Sequence, residues 1–385
     1  MKIHIALVGG QPMPVYHVIE ALRPEKTILI ISKSTEIEAK NIKVLCRAEQ
    51  ICQDFDMVKI DATDWNVITD AARQLAQEFA NNEVTLNLQS GTKFWTVAFL
   101  LAFQQFENAT CYLIDQNNYM LNLKTGEQTL TIINPWKQIN LTGNAIEKSV
   151  DISEYTQEDY KVASKIEHLR KFHTGVFNQL TIATNNVQKQ ALKRKEGSVD
   201  KDLSYIQWNK KELWARVYLR KQNGKDMEEI LCSPHVFSLL FNTGWFEYKV
   251  AYAISQNPNV KKVLLNCIFK SKGEATDKNE IDIIAEFGNR LLFVECKTDI
   301  HQISDIDKFS KASGNYGGSG SLSIFVTQKN YTTDSTVMEK MRDNNITHFC
   351  FDADKSDKEN IILLNEFIDT LSNYSAIAHA TPIHA

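Results

Sequence analysis

Three ionisable residues near the C-terminus have the types and spacing for hydrolytic chemistry: Asp282, Glu295 and Lys297. They lie in Asn279-Glu280-Ile281-Asp282-Ile283-Ile284-Ala285-Glu286-Phe287-Gly288-Asn289-Arg290-Leu291-Leu292-Phe293-Val294-Glu295-Cys296-Lys297, which reads as a β-hairpin. Gly288-Asn289 suits a two-residue type I′ or II′ turn. That turn sets Phe287 opposite Arg290 and, counting outward, Asp282 opposite Glu295. Paired Cβ atoms on one face of an antiparallel ladder are about 5 Å apart. Two carboxylates that close repel unless a cation lies between them, and a hard divalent ion with oxygen ligands resolves the conflict. Lys297 follows Glu295 by two residues and projects from the same face. It is suited to hold a water or offset phosphate charge. The surrounding Ile281, Ile283, Ile284, Leu292, Phe293 and Val294 are apolar, so polar groups among them need a reason. A further acid, Glu247 in Gly244-Trp245-Phe246-Glu247-Tyr248-Lys249-Val250, opens an amphipathic helix and is expected to face the hairpin. The bland alternatives are an exposed Glu–Lys pair and first-turn dipole compensation.

The elements around these residues read as mixed α/β. In the first third, strand candidates (Ile3–Val8, Thr27–Ser32, Met57–Ile60, Val84–Leu88, Thr110–Ile114) alternate with helix candidates (Pro14–Leu22, Glu36–Cys46, Trp65–Asn81, Lys93–Phe106). Such alternation implies a parallel sheet covered on both faces. Tyr119–Leu123 and Thr129–Ile133 read as an antiparallel hairpin at its edge. In the doubly wound order 3-2-1-4-5, a crevice opens between the loops after strands 1 and 4. Those loops are Gly9-Gly10-Gln11-Pro12-Met13-Pro14 and Ser90-Gly91-Thr92-Lys93. Glycines permit close backbone approach, the helix starting near Lys93 favours an anion, and Thr92 and Lys93 add a hydroxyl and a cation. The pattern fits a nucleotide-like or phosphate-bearing ligand, and ordinary turn chemistry is its competitor. Neither loop is a Walker A or a GxGxxG fingerprint.

Composition bounds the rest. The chain has 385 residues, 43 basic against 47 acidic, a net charge of −4 and 43% hydrophobic residues. That is enough for ordinary cores and suggests two or three domains. The seven cysteines include no CxxC pair, which argues against a secreted disulfide scaffold and against a Cys-ligated zinc site, and favours the cytoplasm. The longest apolar run, Phe94–Phe103, is too short to span a bilayer, so no membrane partner is expected. Charge is uneven: residues 161–225 carry 15 basic and 5 acidic side chains. Such an excess attracts phosphate backbones or is merely a solvated surface. In this middle region residues 154–195 read as helical, Leu203–Leu219 is rich in aromatic and β-branched residues, and Gln222-Asn223-Gly224-Lys225 is a turn. A helical unit with a hairpin, a winged helix and a motion-transmitting connector all fit. His168 and His173, five apart, do not share a helical face as metal ligands would. The Gly314–Gly320 run precedes the Leu322–Val326 strand and reads as a flexible turn rather than a phosphate loop. The tail from Ser372 to Ala385 has no interpretable pattern.

Taken together, Glu247, Asp282 and Glu295-Cys296-Lys297 resemble the motifs of the PD-(D/E)xK restriction-endonuclease-like superfamily. Gly-Trp-Phe-Glu beside Asn-Glu-Ile-Asp and Glu-Cys-Lys-Thr is similar to the CARF-domain nucleases of type III CRISPR defence, the Card/Can-type effectors activated by cyclic tetra-adenylate. Ser90-Gly91-Thr92-Lys93 agrees with the loop after the fourth strand of Rossmann-like CARF domains. The resemblance covers nearly the whole chain and is weakest over 150–235. One departure is Thr243-Gly244-Trp245-Phe246-Glu247, where the family pattern reads Gly-Gly-Trp-Leu-Glu. The resemblance implies a CARF ligand-sensing domain over 1–145, a mainly helical connector over 146–238 and a nuclease domain over 239–385. It implies a homodimer binding cyclic tetra-adenylate through Gly9, Gly10, Gln11, Pro12, Met13, Ser90, Gly91, Thr92 and Lys93. It also implies Mg²⁺ or Mn²⁺ on Asp282, Glu295 and the Cys296 carbonyl, with Lys297 orienting the attacking water and Glu247 supporting the metal shell. The substrate is expected to be single-stranded, nicked or supercoiled DNA, or RNA. Competing readings are a ligand-responsive transcription regulator and a repair- or restriction-type nuclease that needs no second messenger.

Overall fold

The computed structural model describes residues 1–115, 118–131, 134–182, 190, 192–270, 280–318 and 320–377, with side chains described as far as residue 371. Asn279, Ile133 and Ser319, part of the 154–195 stretch read as helical and most of the C-terminal tail lie outside these. The chain divides into two compact units, residues 1–145 with 314–320, and 146–313 with 321–385.

The first unit is built on a seven-stranded sheet. Its strands are β1 (Lys2–Leu7), β2 (Lys26–Ile31), β3 (Asp54–Lys59), β4 (Glu83–Asn87), β5 (Ala109–Ile114), β6 (Tyr119–Asn122) and β7 (Gln128–Leu130), in the spatial order β3-β2-β1-β4-β5-β6-β7. The first five are parallel and β6–β7 add an antiparallel hairpin. Helices Met13–Leu22, Glu36–Ala48, Trp65–Glu78 and Lys93–Phe103 connect the parallel strands. Two separate apolar clusters form, as expected where both sheet faces are covered. Ile5, Leu86, Ile68 and Phe99 belong to one, and Ala6, Leu29, Val15 and Ile42 to the other. The Rossmann-like expectation holds for every parallel strand, with helix ends displaced by a few residues at most.

The second unit holds a six-stranded mixed sheet, β17-β16-β15-β14-β13-β8. Its strands are β8 (Ile146–Asp151), β13 (Val260–Phe269), β14 (Glu280–Phe287), β15 (Arg290–Lys297), β16 (Leu322–Thr327) and β17 (Thr347–Cys350). β8 to β15 are antiparallel neighbours, whereas β15, β16 and β17 run parallel. The strands β9 (Glu196–Lys201), β10 (Ser204–Asn209), β11 (Trp214–Arg220) and β12 (Asp226–Cys232) form a separate antiparallel sheet in the order β12-β11-β10-β9. Among the described residues, the region read as helical includes the helices Gln157–Phe172 and Thr174–Thr181, separated at His173. The expected turn at 222–225 is present, with Gly224 at φ +78°. Four strands in a meander replace the two- or three-stranded wing of a winged helix. One apolar cluster joins this sheet, through Trp208 and Val217, to the mixed sheet through Ile283 and Val294.

The Gly314–Gly320 reading needs correction. Helix Ser304–Gly317 runs through Gly314, Asn315 and Tyr316, and Gly318 follows at φ +65°. The glycine in the left-handed region after the last helical turn is a helix terminator, so the run ends a helix before β16 begins.

Candidate active site and ligand crevice

The hairpin has the expected register. Phe287 pairs with Arg290, Ala285 with Leu292 and Ile283 with Val294. Gly288 has φ +59°, the signature of a type II′ turn with glycine at its first central position. One step beyond the last of these pairs, the Cys296 backbone N–H donates to Asp282 Oδ2 at 2.8 Å. On the same face, Lys297 Nζ donates to Glu295 Oε1 at 2.6 Å and lies 3.7 Å from Asp282 Oδ2. The three side-chain tips therefore converge, and the ammonium group occupies the position between the two carboxylates. Asp282 and Glu295 are largely buried, whereas Lys297 remains partly open to solvent.

Helix Gly244–Ser255 brings the fourth residue. Its path is fixed by contact: a Cβ on Gly244 would lie 1.8 Å from the Ser238 carbonyl oxygen, so no other residue fits there. Thr243 just before it takes φ +67°, the left-handed conformation that favours glycine. This is the position where the family pattern carries its extra glycine. Lys249, 4% exposed, ties the helix down by pairing with Glu167 and, at 2.5 Å, with Asp357. Glu247, two residues earlier, is thereby placed among the hairpin charges. Burial first, then the Asp282 charge, pushes its carboxyl well above the usual range, with Glu280 and Glu295 adding and Lys297 opposing. The same balance, led by burial, raises Glu295 to about 8. Lys297 is driven the other way: burial opposes its charge, but Asp282 and Glu295 outweigh burial and hold it protonated.

Glu280 belongs to this set and was missed from the sequence. It lies two residues before Asp282, hence on the same strand face, and its carboxyl is raised by burial and by Asp282. The period-two rule applied to Asp282 would have found it. The residues present fit a hard cation. Four carboxylates (Glu247, Glu280, Asp282, Glu295) share one ammonium, so negative charge is in excess, and burial first and the Asp282 charge second raise the carboxyls of Glu247, Glu280 and Glu295. Among the described residues no three His, Cys, Asp or Glu side chains form a preassembled cage. A hard cation such as Mg²⁺ is held by one or two carboxylates and completes its shell with water and substrate oxygens. The Cys296 thiol is fully buried, and burial raises its pKa strongly.

The first unit places its two loops against each other. A Cβ on Gly9 would lie 2.7 Å from the Gly91 backbone nitrogen, and Ser90 Oγ donates to the Gln11 carbonyl at 3.3 Å. Gly91 has φ +85°, and a Cβ there would strike the Trp95 ring at 2.8 Å. Both glycines are thus required by geometry. Thr92 serves the fold: its hydroxyl caps the helix by accepting from Trp95 N at 3.3 Å and donates to the Ala62 carbonyl at 3.1 Å. Pro12 is buried and Met13 half-buried, while Gly10, Gln11 and Lys93 are exposed at the mouth. The crevice accordingly presents backbone, a helix N-terminus and one lysine.

The basic stretch is less free than its charge suggests. Lys165 pairs with Glu229, Arg216 with Glu228 and Lys171 with Glu167. No helix among the described residues is long and apolar enough to cross a membrane.

Residues 3–144 match the family model described as the Card1 CARF domain. Among solved structures, Can2 from Sulfobacillus thermosulfidooxidans in complex with cyclic tetra-adenylate is similar over 96% of this chain and 99% of that one, with 16% identity and a TM-score of 0.67. The Vibrio cholerae protein VC1899 is similar over 95% and 97%, with 16% identity and a TM-score of 0.68. A type III CRISPR defence DNA nuclease activated by cyclic oligoadenylate has a TM-score of 0.53 over 85% of this chain and 45% of that one, at 16% identity. At these identities the likeness establishes a shared fold. No curated protein matches the sequence.

Proposed function

Starting from an N-terminal CARF domain of the Card1 type, we propose that this protein is a cyclic-oligoadenylate-activated, metal-dependent nuclease, a CRISPR-linked defence effector that cleaves DNA or RNA phosphodiester bonds. The observation that carries the nuclease half is the convergence of Asp282, Glu295 and Lys297 at hydrogen-bonding and ion-pair distances, with Glu247 and Glu280 around them. Asp282, Glu295 and the Cys296 carbonyl would hold Mg²⁺ or Mn²⁺, with Glu247 supporting that shell. When bound, the ion supplies charge stabilisation and lowers the pKa of a coordinated water. The chain's own contribution is positional. The Cys296 N–H fixes one Asp282 oxygen, leaving the other to act as ligand. Lys297, held cationic by two carboxylates, orients the attacking water and offsets charge on the phosphate.

Activation belongs to the first unit. Gly9, Gly10, Gln11, Pro12, Met13, Ser90, Gly91, Thr92 and Lys93 form the crevice, in which backbone N–H groups and Lys93 favour an anionic ring. Two copies related by a two-fold axis would share one ring of even number, such as cyclic tetra-adenylate. Phe94, Val97 and Leu101 on one face of helix Lys93–Phe103, beside Trp65, are 42–52% exposed and form an apolar strip of the kind a second copy covers. Ligand binding shifts the population towards a cleavage-competent arrangement.

The test is incubation with single-stranded DNA, supercoiled DNA and RNA in Mn²⁺, with and without cyclic tetra-adenylate. Ligand-dependent cleavage abolished by EDTA and by Asp282→Asn supports the proposal. Cleavage that is indifferent to the ligand and to Lys93→Ala favours a constitutive nuclease, and duplex binding without cleavage favours a regulator.

A further inference from the structure

A groove of about 760 Å³ in the second unit is lined by four tyrosines, Tyr155, Tyr160, Tyr248 and Tyr252. They form a connected band of rings. Tyr155 stacks on His235 at 4.1 Å on one side and Tyr248 at 4.6 Å on the other. Tyr248 leads to Tyr252 at 6.3 Å, and Tyr252 meets Tyr160 at 4.8 Å and 51°. Tyr155 is therefore filled on both faces and acts as foundation. Tyr160 and Tyr252 are the half-exposed end of the band. The Tyr160 ring is held in place, since its hydroxyl donates to Asp357 at 2.7 Å. The remaining lining is neutral or cationic: Gln157 and Ser255 offer hydrogen bonds and Lys358 is an exposed cation.

We propose that this groove is a base-stacking site for single-stranded nucleic acid, in which an unpaired nucleobase lies against Tyr252 and Tyr160 while Lys358 meets the backbone. Aromatic faces beside neutral hydrogen-bonding groups suit planar heterocycles, and stacking accepts any base. A duplex has no such faces to offer, because its bases are already stacked. The groove continues from the catalytic helix. Tyr248 directly follows Glu247, and Tyr252 is one turn further on. Tyr155 is raised to about 12, chiefly by burial, and the charge of Glu247 acts on its hydroxyl, which places the groove within electrostatic reach of the candidate active site. The inference rests on the nuclease reading and assigns the place where an unpaired stretch of its substrate is held.

The experiment uses the full chain in EDTA, with and without cyclic tetra-adenylate, and reads fluorescence anisotropy of a labelled oligodeoxythymidylate and of an abasic strand of equal length. The wild type should prefer the base-bearing strand by about tenfold, since one stacked base contributes ~1–3 kcal/mol. Tyr252→Ile should remove most of that preference, and Tyr252→Phe should keep it. Ile362→Glu, at an exposed position lining the groove, should also lower it without unfolding the protein. Equal affinity of the wild type for both strands, or a preference that survives both Tyr252→Ile and Ile362→Glu, overturns the proposal. Base preference is read without cleavage, so a protein that shows it but cuts nothing in Mn²⁺ retains the groove and loses the nuclease reading.

Discussion

The N-terminal crevice and the C-terminal hairpin treat charge in opposite ways. The crevice is made of backbone: Gly9 against Gly91, the start of helix Lys93–Phe103, and hydroxyls on Ser90 and Thr92 that hold the loops and the helix cap rather than reach outward. Its electrostatics come from peptide dipoles, which need no desolvated charges to be maintained. The hairpin site concentrates four carboxylates around one ammonium on a largely buried sheet, and burial together with the Asp282 charge raises the carboxyl pKa values there. A backbone site is complete as folded and suits a sensor that must release its ligand. A site with excess charge is stabilised when a cation arrives, which makes binding and chemistry inseparable there.

Substitutions can test how independent these two designs are. Lys297→Ala or Asp282→Asn should lower cleavage on the order of 10²–10³-fold, the scale of losing one positioned charge-stabilising group. Affinity for cyclic tetra-adenylate, measured by calorimetry on the same variants, should be unchanged, and a parallel loss would show that the sites are not separable. The glycines differ too: Gly244 is set by contact, whereas Gly10 is not. Gly244→Ala forces a Cβ into the Ser238 carbonyl and should cost about 3 kcal/mol or more in denaturant unfolding. Gly10→Ala, with nothing within 4 Å, should be close to neutral for folding.

Acid should separate the units next. His4 and His17 are buried in the first unit, and burial lowers them to about 3 and about 4, with Lys137 adding to the effect on His17. Their folded pKa lies below the unfolded value, so the unfolded chain takes up protons first as pH falls. Stability is complete above pH 6.5 and lost progressively below it, by about 2 kcal/mol per histidine at pH 5. In the second unit His348 is also lowered by burial but is less enclosed, so its contribution should be smaller. Melting curves at pH 7 and pH 5 should show the first unit losing more, and His17→Leu should reduce that loss. One expected effect is a small gain. Thr243→Gly relieves the left-handed strain beside Gly244 and should raise stability by about 1 kcal/mol, readable as a shift in the urea midpoint.

The sequence showed most where a local rule fixes geometry. Gly288-Asn289 permits only a short turn, and counting outward from it placed Asp282, Glu295 and Lys297 on one face. Alternation of strands and helices in the first unit pointed to the parallel, doubly wound sheet that the structure has. What escaped depends on distant partners. β8, with the sequence IEKSVD, looks like a polar connector, and only its pairing with β13 makes it a strand of the mixed sheet. The structural role of the Thr92 hydroxyl is hidden in the sequence because its partner, the Ala62 carbonyl, is 30 residues away. Glycines at 314 and 317 suggested a loop, yet both lie in a helix that ends at Gly318. The tyrosine band joins residues nearly a hundred positions apart and has no signature in either segment alone.

The turn at Gly288-Asn289 touches none of the reacting groups, yet it governs them. Side chains alternate along a strand, so inserting or deleting one residue at that bend, followed by a one-step slip of pairing, would send the acids to opposite sides of the sheet. Across evolutionary time this hairpin should therefore tolerate changes of identity at its exposed positions but not changes of length, a constraint that would surface as an absence of indels rather than as invariant residues.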